Sequence, residues 1–318
     1  MISFTSNVKT EVSSSDGERN ENLAMLSAII RNSGKYDKDS ITITTENSKV
    51  AKKVYLLLSD IYNVLVTIDD KENSFNRNRL YIIKTSNNTQ FILKDLSIID
   101  ENGNYIKMVN DYLVDSDGEK RAYLKGVFLS CGSVNDPKTS RYHLEFFIDN
   151  ESEAYFVNDL LNEYYLNSKV ILKDKKYMVY VKEAEKIGDF LRIINASQAV
   201  MYFEDIRIYR DHKNMTNRLN NMEQANIEKT INTSNMQIKD INYLLDKLGM
   251  DFFDDKTKEA ITYRLKYPES SLQELSEIMT LEVGRTITKS GLNHRFRKIR
   301  EMAKKVKESE EKWNISKN

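Results

Sequence analysis

The chain has 318 residues, with 48 Lys plus Arg against 48 Asp plus Glu, so its formal net charge is zero, and 40% of it is hydrophobic. That length predicts two domains, and that composition predicts an ordered core rather than a disordered tail. One cysteine, three histidines, two prolines and ten glycines exclude a disulfide scaffold, a Cys/His zinc framework and a turn-rich all-β sandwich.

No apolar run reaches the roughly 20 residues a membrane helix needs, and MISFTSNVKTEV at the start lacks a secretory stretch. The expectation is a cytoplasmic protein with no membrane partner. No Gly-rich phosphate loop, nucleophile elbow or His-Glu-x-x-His pattern occurs, and no cofactor is expected.

In chain order, LAMLSAIIRNSGKY at 23–36 predicts an apolar helix that ends in a small residue followed by glycine. AYLKGVFLSCGSVNDP at 122–137 repeats the pattern, residues 26–34 aligning with 124–132 at an offset of 98. After each comes an alternating strand (Ile41, Ile43; Leu144, Phe146, Ile148). Next is an amphipathic helix, with Ala51, Val54, Leu57 and Leu58 matching Ala154, Val157, Leu160 and Leu161 at an offset of 103. Strands at 64–68, 80–83, 170–172 and 177–181 and closing helices at 89–99 and 184–194 complete two αββαββα units, at 1–112 and 113–200. A four-stranded sheet cannot cover both its faces alone. The two Gly-ended helices are therefore expected to form a seam, with Ala28 and Gly126 facing it.

LKGVFLSCG at 124–132 is similar to the nine-residue LAGLIDADG motif of homing endonucleases, and LSAIIRNSG at 26–34 is a weaker version. That resemblance implies paired helices at the seam, with a carboxylate at the eighth motif position of each to hold the catalytic metal. Here the eighth positions are Ser33 and Cys131. A hydroxyl and a thiol do not supply the hard anionic oxygens that Mg²⁺ requires, so no metal site and no catalytic residue are predicted. Asp37, Asp39 and Asp136, just beyond the motifs, are the carboxylates a nuclease would have to use instead. Cys131 reads as a packed seam residue.

Residues 201–226 lack proline and glycine, and Asn214, Asn217, Asn220, Asn221 and Asn226 crowd into them, predicting an ordered helical connector rather than a flexible linker. A C-terminal domain follows at 227–318. It begins with a helix over 227–249 stopped by Gly249, and a second over 255–267 capped by Asp254. Ser270 and Ser271 can cap a short helix over 271–279, a connector follows, and a basic helix spans 289–307.

From Val283 to Lys307 there are nine basic residues against Glu301 alone, a local charge of +8, whereas residues 1–282 carry −7. Such segregation is the footprint of nucleic-acid contact, because phosphate neutralisation is local to the binding face. Leu292, Phe296, Ile299 and Ala303 share one stripe of the last helix, and Ser290, His294, Arg297, Lys298 and Lys305 share the opposite face, with Asn293 and Lys304 at its edge. A short apolar helix, a turn and a basic helix form helix-turn-helix logic. Arg297 suits guanine, Asn293 adenine and His294 a base or phosphate; Lys298, Lys304 and Lys305 suit phosphates, and Ser271, Arg285, Lys289 and Ser290 flank them.

NRLNNMEQANIEKT at 217–230 and YPESSLQELSEIM with KSGLNHRFRKI in 267–299 resemble the WhiA family of bacterial DNA-binding regulators. The resemblance covers nearly the whole chain. It implies an α+β fold, with two LAGLIDADG-like halves lacking nuclease activity and an all-α helix-turn-helix domain of the sigma-factor region-four kind. It also implies transcription regulation in cell division and chromosome segregation, or sporulation in some lineages, with nucleoid association. Double-stranded DNA is the expected partner, with another regulatory protein as a second. The resemblance further implies a short Pro-containing turn, and the connector from Met279 to Lys289 departs from it. Two other readings stay open, a metal-dependent LAGLIDADG-type endonuclease and a protein-interaction scaffold.

Overall fold

A computed structural model describes residues 3–72, 79–139 and 141–315. Two compact units, Met1–Asp211 and His212–Asn318, make up the chain.

In the first unit the repeat is visible down to its caps. Helix α2 (Arg19–Ser33) opens on a capping box of Glu18 and Glu21, and α5 (Asp117–Cys131) on one of Ser116 and Glu119. Asn47 caps α3 (Ser48–Tyr62), and Asn150, 103 positions later, caps α6 (Glu151–Glu163). Strands β1 (Gly34–Tyr36), β2 (Ile41–Thr45), β3 (Val66–Glu72) and β4 (Arg79–Thr85) form an antiparallel sheet in the order β1-β2-β4-β3. Strands β5 (Gly132–Val134), β6 (Leu144–Ile148), β7 (Lys169–Lys173) and β8 (Lys176–Val181) repeat it as β5-β6-β8-β7. Register sets Ile43 opposite Ile83 in one sheet and Phe146 opposite Val179 in the other, all four buried.

The expected αββαββα units are present, with two differences. The closing helix α4 (Thr89–Asp95) is shorter than 89–99, because Ser97 takes a left-handed conformation at φ 54°; α7 (Ala184–Ile193) ends beside Asn195 at φ 59°. A helix not predicted from sequence, α1 (Phe4–Ser13), precedes the first unit's repeat and buries Phe4, Val8 and Val12.

Helices α2 and α5 form the seam. A Cβ on Gly126 would lie 2.4 Å from the Met25 carbonyl oxygen and 2.8 Å from the Ala28 Cβ. Any side chain there would push the two helices apart, so the expected seam residues are the ones in contact. Across the two halves, Arg31 of α2 and Glu153 of α6 form a buried ion pair at 3.5 Å.

Helix α8 (Ser197–Leu248) is continuous where two helices were expected; Ala199 and Phe203 join the first core, and Ile241 and Leu244 the second. In the second unit α9 (Asp255–Lys266) starts at its expected cap, Asp254, which accepts from Thr257 N at 3.0 Å. Helix α10 (Leu272–Val283) runs four residues past Met279 and closes on Gly284 at φ 72°, a left-handed cap that suits glycine. The connector to α11 (Lys289–Ile315) is therefore only residues 284–288. Leu292, Phe296, Ile299 and Ala303 are all buried, as their spacing predicts. Among the described residues no helix is long and apolar enough to cross a membrane.

Candidate nucleic-acid interface

The bihelical element is held by its caps and its turn. Ser271 Oγ accepts from Glu274 N at 3.2 Å while Glu274 accepts from Ser271 N at 2.7 Å. That second bond, foremost, keeps the Glu274 carboxyl below the ordinary carboxylate range. In the turn Thr280 Oγ1 accepts from Ile287 N at 3.0 Å and donates to Ser276 O at 2.7 Å, so Ile287 is folded into the core. Thr288 caps α11, accepting from Gly291 N at 3.1 Å. A Cβ on Gly291 would come within 3.2 Å of that hydroxyl, a tight contact.

With the apolar stripe of α11 buried, Lys289, Ser290, Asn293, His294, Arg297, Lys298, Lys304 and Lys305 are all exposed. Arg297 reaches Glu301 at 3.6 Å and Lys304 reaches Glu308 at 3.7 Å, both pairs largely solvated and weak. Lys289, Lys298 and Lys305 belong to no ion pair among the described residues. Two predicted residues are placed differently from the rest. Arg285 is paired with Glu259, and Ser271 Oγ accepts in its own helix cap. Ser271, Lys289, Ser290 and Asn293 come together on one cavity, which Arg264 and Lys229 also line. Neither of the last two was predicted. Arg264 had a sequence signal: it falls in register with Ala260 and Ile261, a cation on a buried stripe.

At the motif helix tips Ser33 Oγ donates to Ile29 O at 2.9 Å, and Cys131 Sγ to Val127 O at 3.4 Å, each satisfied within its own helix. Burial pushes the Cys131 thiol up to about 12, so it stays protonated at neutral pH. Lys9 of α1 is electrostatically coupled to that thiol and is itself brought down to about 8 by burial. Asp37 is turned onto its own loop, accepting from Asp39 N at 2.8 Å and Ser40 N at 2.7 Å, and these bonds hold its carboxyl low. Asp136 accepts from Lys138 N at 2.9 Å and from Tyr202 Oη at 3.3 Å. Among the described residues no three His, Cys, Asp or Glu side chains are grouped to hold a metal ion. A neutral thiol, a hydroxyl bonded to a carbonyl and a neighbouring ammonium are the wrong donors for Mg²⁺, so the metal that the LAGLIDADG resemblance implies does not fit these tips.

Lys9 gives this unit a pH signature. A lysine at about 8 in the folded state and 10.5 unfolded leaves the unfolded chain with more bound protons between those values, so stability rises with pH there. Cys131, at 9.0 unfolded and about 12 folded, opposes this above pH 9. We expect urea unfolding of the first unit to show a rise in stability from about pH 8 to 9, and Lys9→Met to reduce that rise, the burial of Lys125 acting in the same direction. An unchanged pH profile in the variant would show that Lys9 is not its source.

Three family models match the chain: the WhiA N-terminal LAGLIDADG-like domain over residues 19–99, the WhiA LAGLIDADG-like domain over 120–213, and the WhiA C-terminal HTH domain over 216–303. A probable cell division protein WhiA of Bacillus cytotoxicus is 40% identical over 314 residues, covering 97% of this chain and 98% of that protein. The one of Staphylococcus haemolyticus is 38% identical, covering 97% and 99%. Among solved structures, full-length DUF199/WhiA from Thermatoga maritima aligns at TM-score 0.58 and 20% identity, covering 95% of this chain and 98% of that one. That likeness shows the fold. With the matched domains spanning most of its length, the chain belongs to the WhiA family.

Proposed function

We propose that the chain is a non-enzymatic regulator that binds double-stranded DNA through its helix-turn-helix element, acting on transcription in cell division and chromosome segregation, or in sporulation, and associated with the nucleoid in the cytoplasm. The observation that carries this is the single exposed cationic face of α11, set opposite a fully buried stripe on a domain that matches an HTH family model. The relatives' description as probable cell division proteins supports the cellular setting.

In this reading α11 enters the major groove from its N-terminal end. Arg297 takes a guanine edge, Asn293 an adenine edge, and His294 a base or phosphate. Lys289, Lys298, Lys304 and Lys305 neutralise phosphates, and Arg285 joins them by exchanging Glu259 for DNA. Ser271 and Ser290, at helix N-termini, are placed to donate to phosphate oxygens. The first unit, whose donors do not suit a metal, serves as a scaffold for another regulatory protein. A salt titration of duplex binding tests the reading. Five cationic phosphate contacts predict a slope of log K on log salt of about −4.5, and a slope near zero would contradict it.

A further inference from the structure

Helices α8 and α9, the segment after α9 and the first turns of α10 and α11 line a cavity of about 690 Å³. No Asp or Glu lines it, although acidic residues equal basic ones in number along the chain. Arg264 is 1% exposed and lines this cavity. Its Nη1 donates to Ser270 O at 2.6 Å, to Ser234 Oγ at 3.3 Å and to Tyr267 O at 3.4 Å, while Nε is buried with no partner. Its guanidinium lies 5.4 Å from the Phe296 ring and belongs to no ion pair among the described residues. A buried cation left without a counter-anion is costly, and burial alone pulls this arginine below its ordinary value.

The other charged groups and the helix ends that line the cavity favour an anion. Lys229 from α8 and Lys289 from α11 line it, neither in an ion pair among the described residues. The N-termini of α10 and α11 both open on it, with N–H groups that have no intrahelical acceptor and the positive ends of two helix dipoles. The hydroxyls of Ser271 and Ser290 add donors. A guanidinium fork and a ring of hydroxyl and amide donors match a phosphate group. Asn293, the residue assigned to a base edge, lines the same cavity, which puts a phosphate bound there one step from the groove.

We propose that this cavity seats one backbone phosphate of the duplex, with Arg264 as its buried anchor and Lys229 as a contact contributed from outside the bihelical element. The proposal rests on the DNA-binding reading and adds to it two residues, on α8 and α9, that the recognition helix does not contain.

The test uses the full chain, fluorescence anisotropy on two unrelated duplexes, and salt titration of each variant. Lys229→Ala is expected to weaken binding roughly three- to ten-fold on both duplexes and to make the salt slope shallower by about 0.9, the signature of one lost phosphate contact. Arg264→Lys, used if its melting profile matches the native chain, keeps the charge, loses the fork and should weaken binding in the same sequence-independent way. If Lys229→Ala leaves affinity and slope unchanged while Arg297→Ala/Lys298→Ala loses binding, the cavity is no DNA contact and the helix-turn-helix reading stands. If the native chain binds neither duplex, both fall. Inorganic phosphate, added at constant ionic strength, separates the sources: a rise in melting temperature that Lys229→Ala removes, with an unchanged DNA slope, would make this a free-phosphate site and overturn the proposal.

Discussion

Replacing Arg297 and Lys298 together with alanine is expected to lower duplex affinity by roughly 30- to 1000-fold, combining a base contact of about 1–3 kcal/mol with one phosphate contact. The salt slope should become shallower by about 1, because only the lysine is assigned to phosphate. Both side chains are exposed on the face of α11 opposite Leu292, Phe296, Ile299 and Ala303. The pair of Arg297 with Glu301 at 3.6 Å is solvated on both sides, so breaking it costs the fold little. Stability should stay within about 0.5 kcal/mol of the native chain, and the loss can then be assigned to binding. Unchanged affinity in a properly folded double variant would remove α11 as the contact surface.

Glu153→Ala is expected to destabilise the first unit by about 3–5 kcal/mol, the typical cost of stranding a buried charge. Glu153 is 1% exposed, and its carboxylate accepts from Tyr123 Oη and from Asn32 Nδ2 at 3.4 Å besides meeting Arg31. Burial pushes the carboxyl above the ordinary range, against the pull of Arg31. Arg31 also donates to Ile106 O at 3.0 Å, to Tyr105 Oη at 3.1 Å and to Ser97 O, and those bonds pin it in place when its counter-charge is deleted. At roughly 2–4 °C per kcal/mol for a unit of this size, the first thermal transition should fall by about 6–20 °C. Arg31→Met added to Glu153→Leu should recover part of the loss, since two apolar groups leave no orphaned ion. A melting temperature within 2 °C of native for Glu153→Ala would show that this pair does not hold the halves together.

How much of this was legible in the sequence follows the range of each interaction. Repeats of burial are local, so the two αββαββα units and the seam of Ala28 and Gly126 could be read from spacing, as could the stripe of α11. Helix α1 escaped because Phe4, Val8 and Val12 are its only buried apolar residues among Ser, Thr, Asn and charged neighbours. The crowded asparagines of 214–226 were expected in an ordered connector separate from the next helix; their side chains are exposed and no glycine or proline breaks the backbone there, so one helix runs through. Thr280 and Val283 fell within the expected connector; Thr280 Oγ1, accepting from Ile287 N, and the left-handed Gly284 extend the helix instead.

The exposed cationic face of α11 could likewise be predicted, because it depends on which way one helix turns its stripe. The Arg31–Glu153 pair spans 122 positions, and the Arg264 cavity draws on four helices, so neither arrangement carries a periodic signal, although Arg264 itself sits in register with a buried stripe. The departure of the motif tips from metal chemistry, by contrast, stood in two letters, Ser33 and Cys131, and hydrogen bonds to Ile29 O and Val127 O agree with it.

Incubating the full chain with supercoiled plasmid and Mg²⁺ or Mn²⁺ tests the central claim most directly, since DNA held at the basic helix should be retarded without being cut. The account predicts a shifted band that returns to fully supercoiled plasmid once protein is removed. Nicked or linear product that disappears when Asp37, Asp39 or Asp136 is replaced would contradict it.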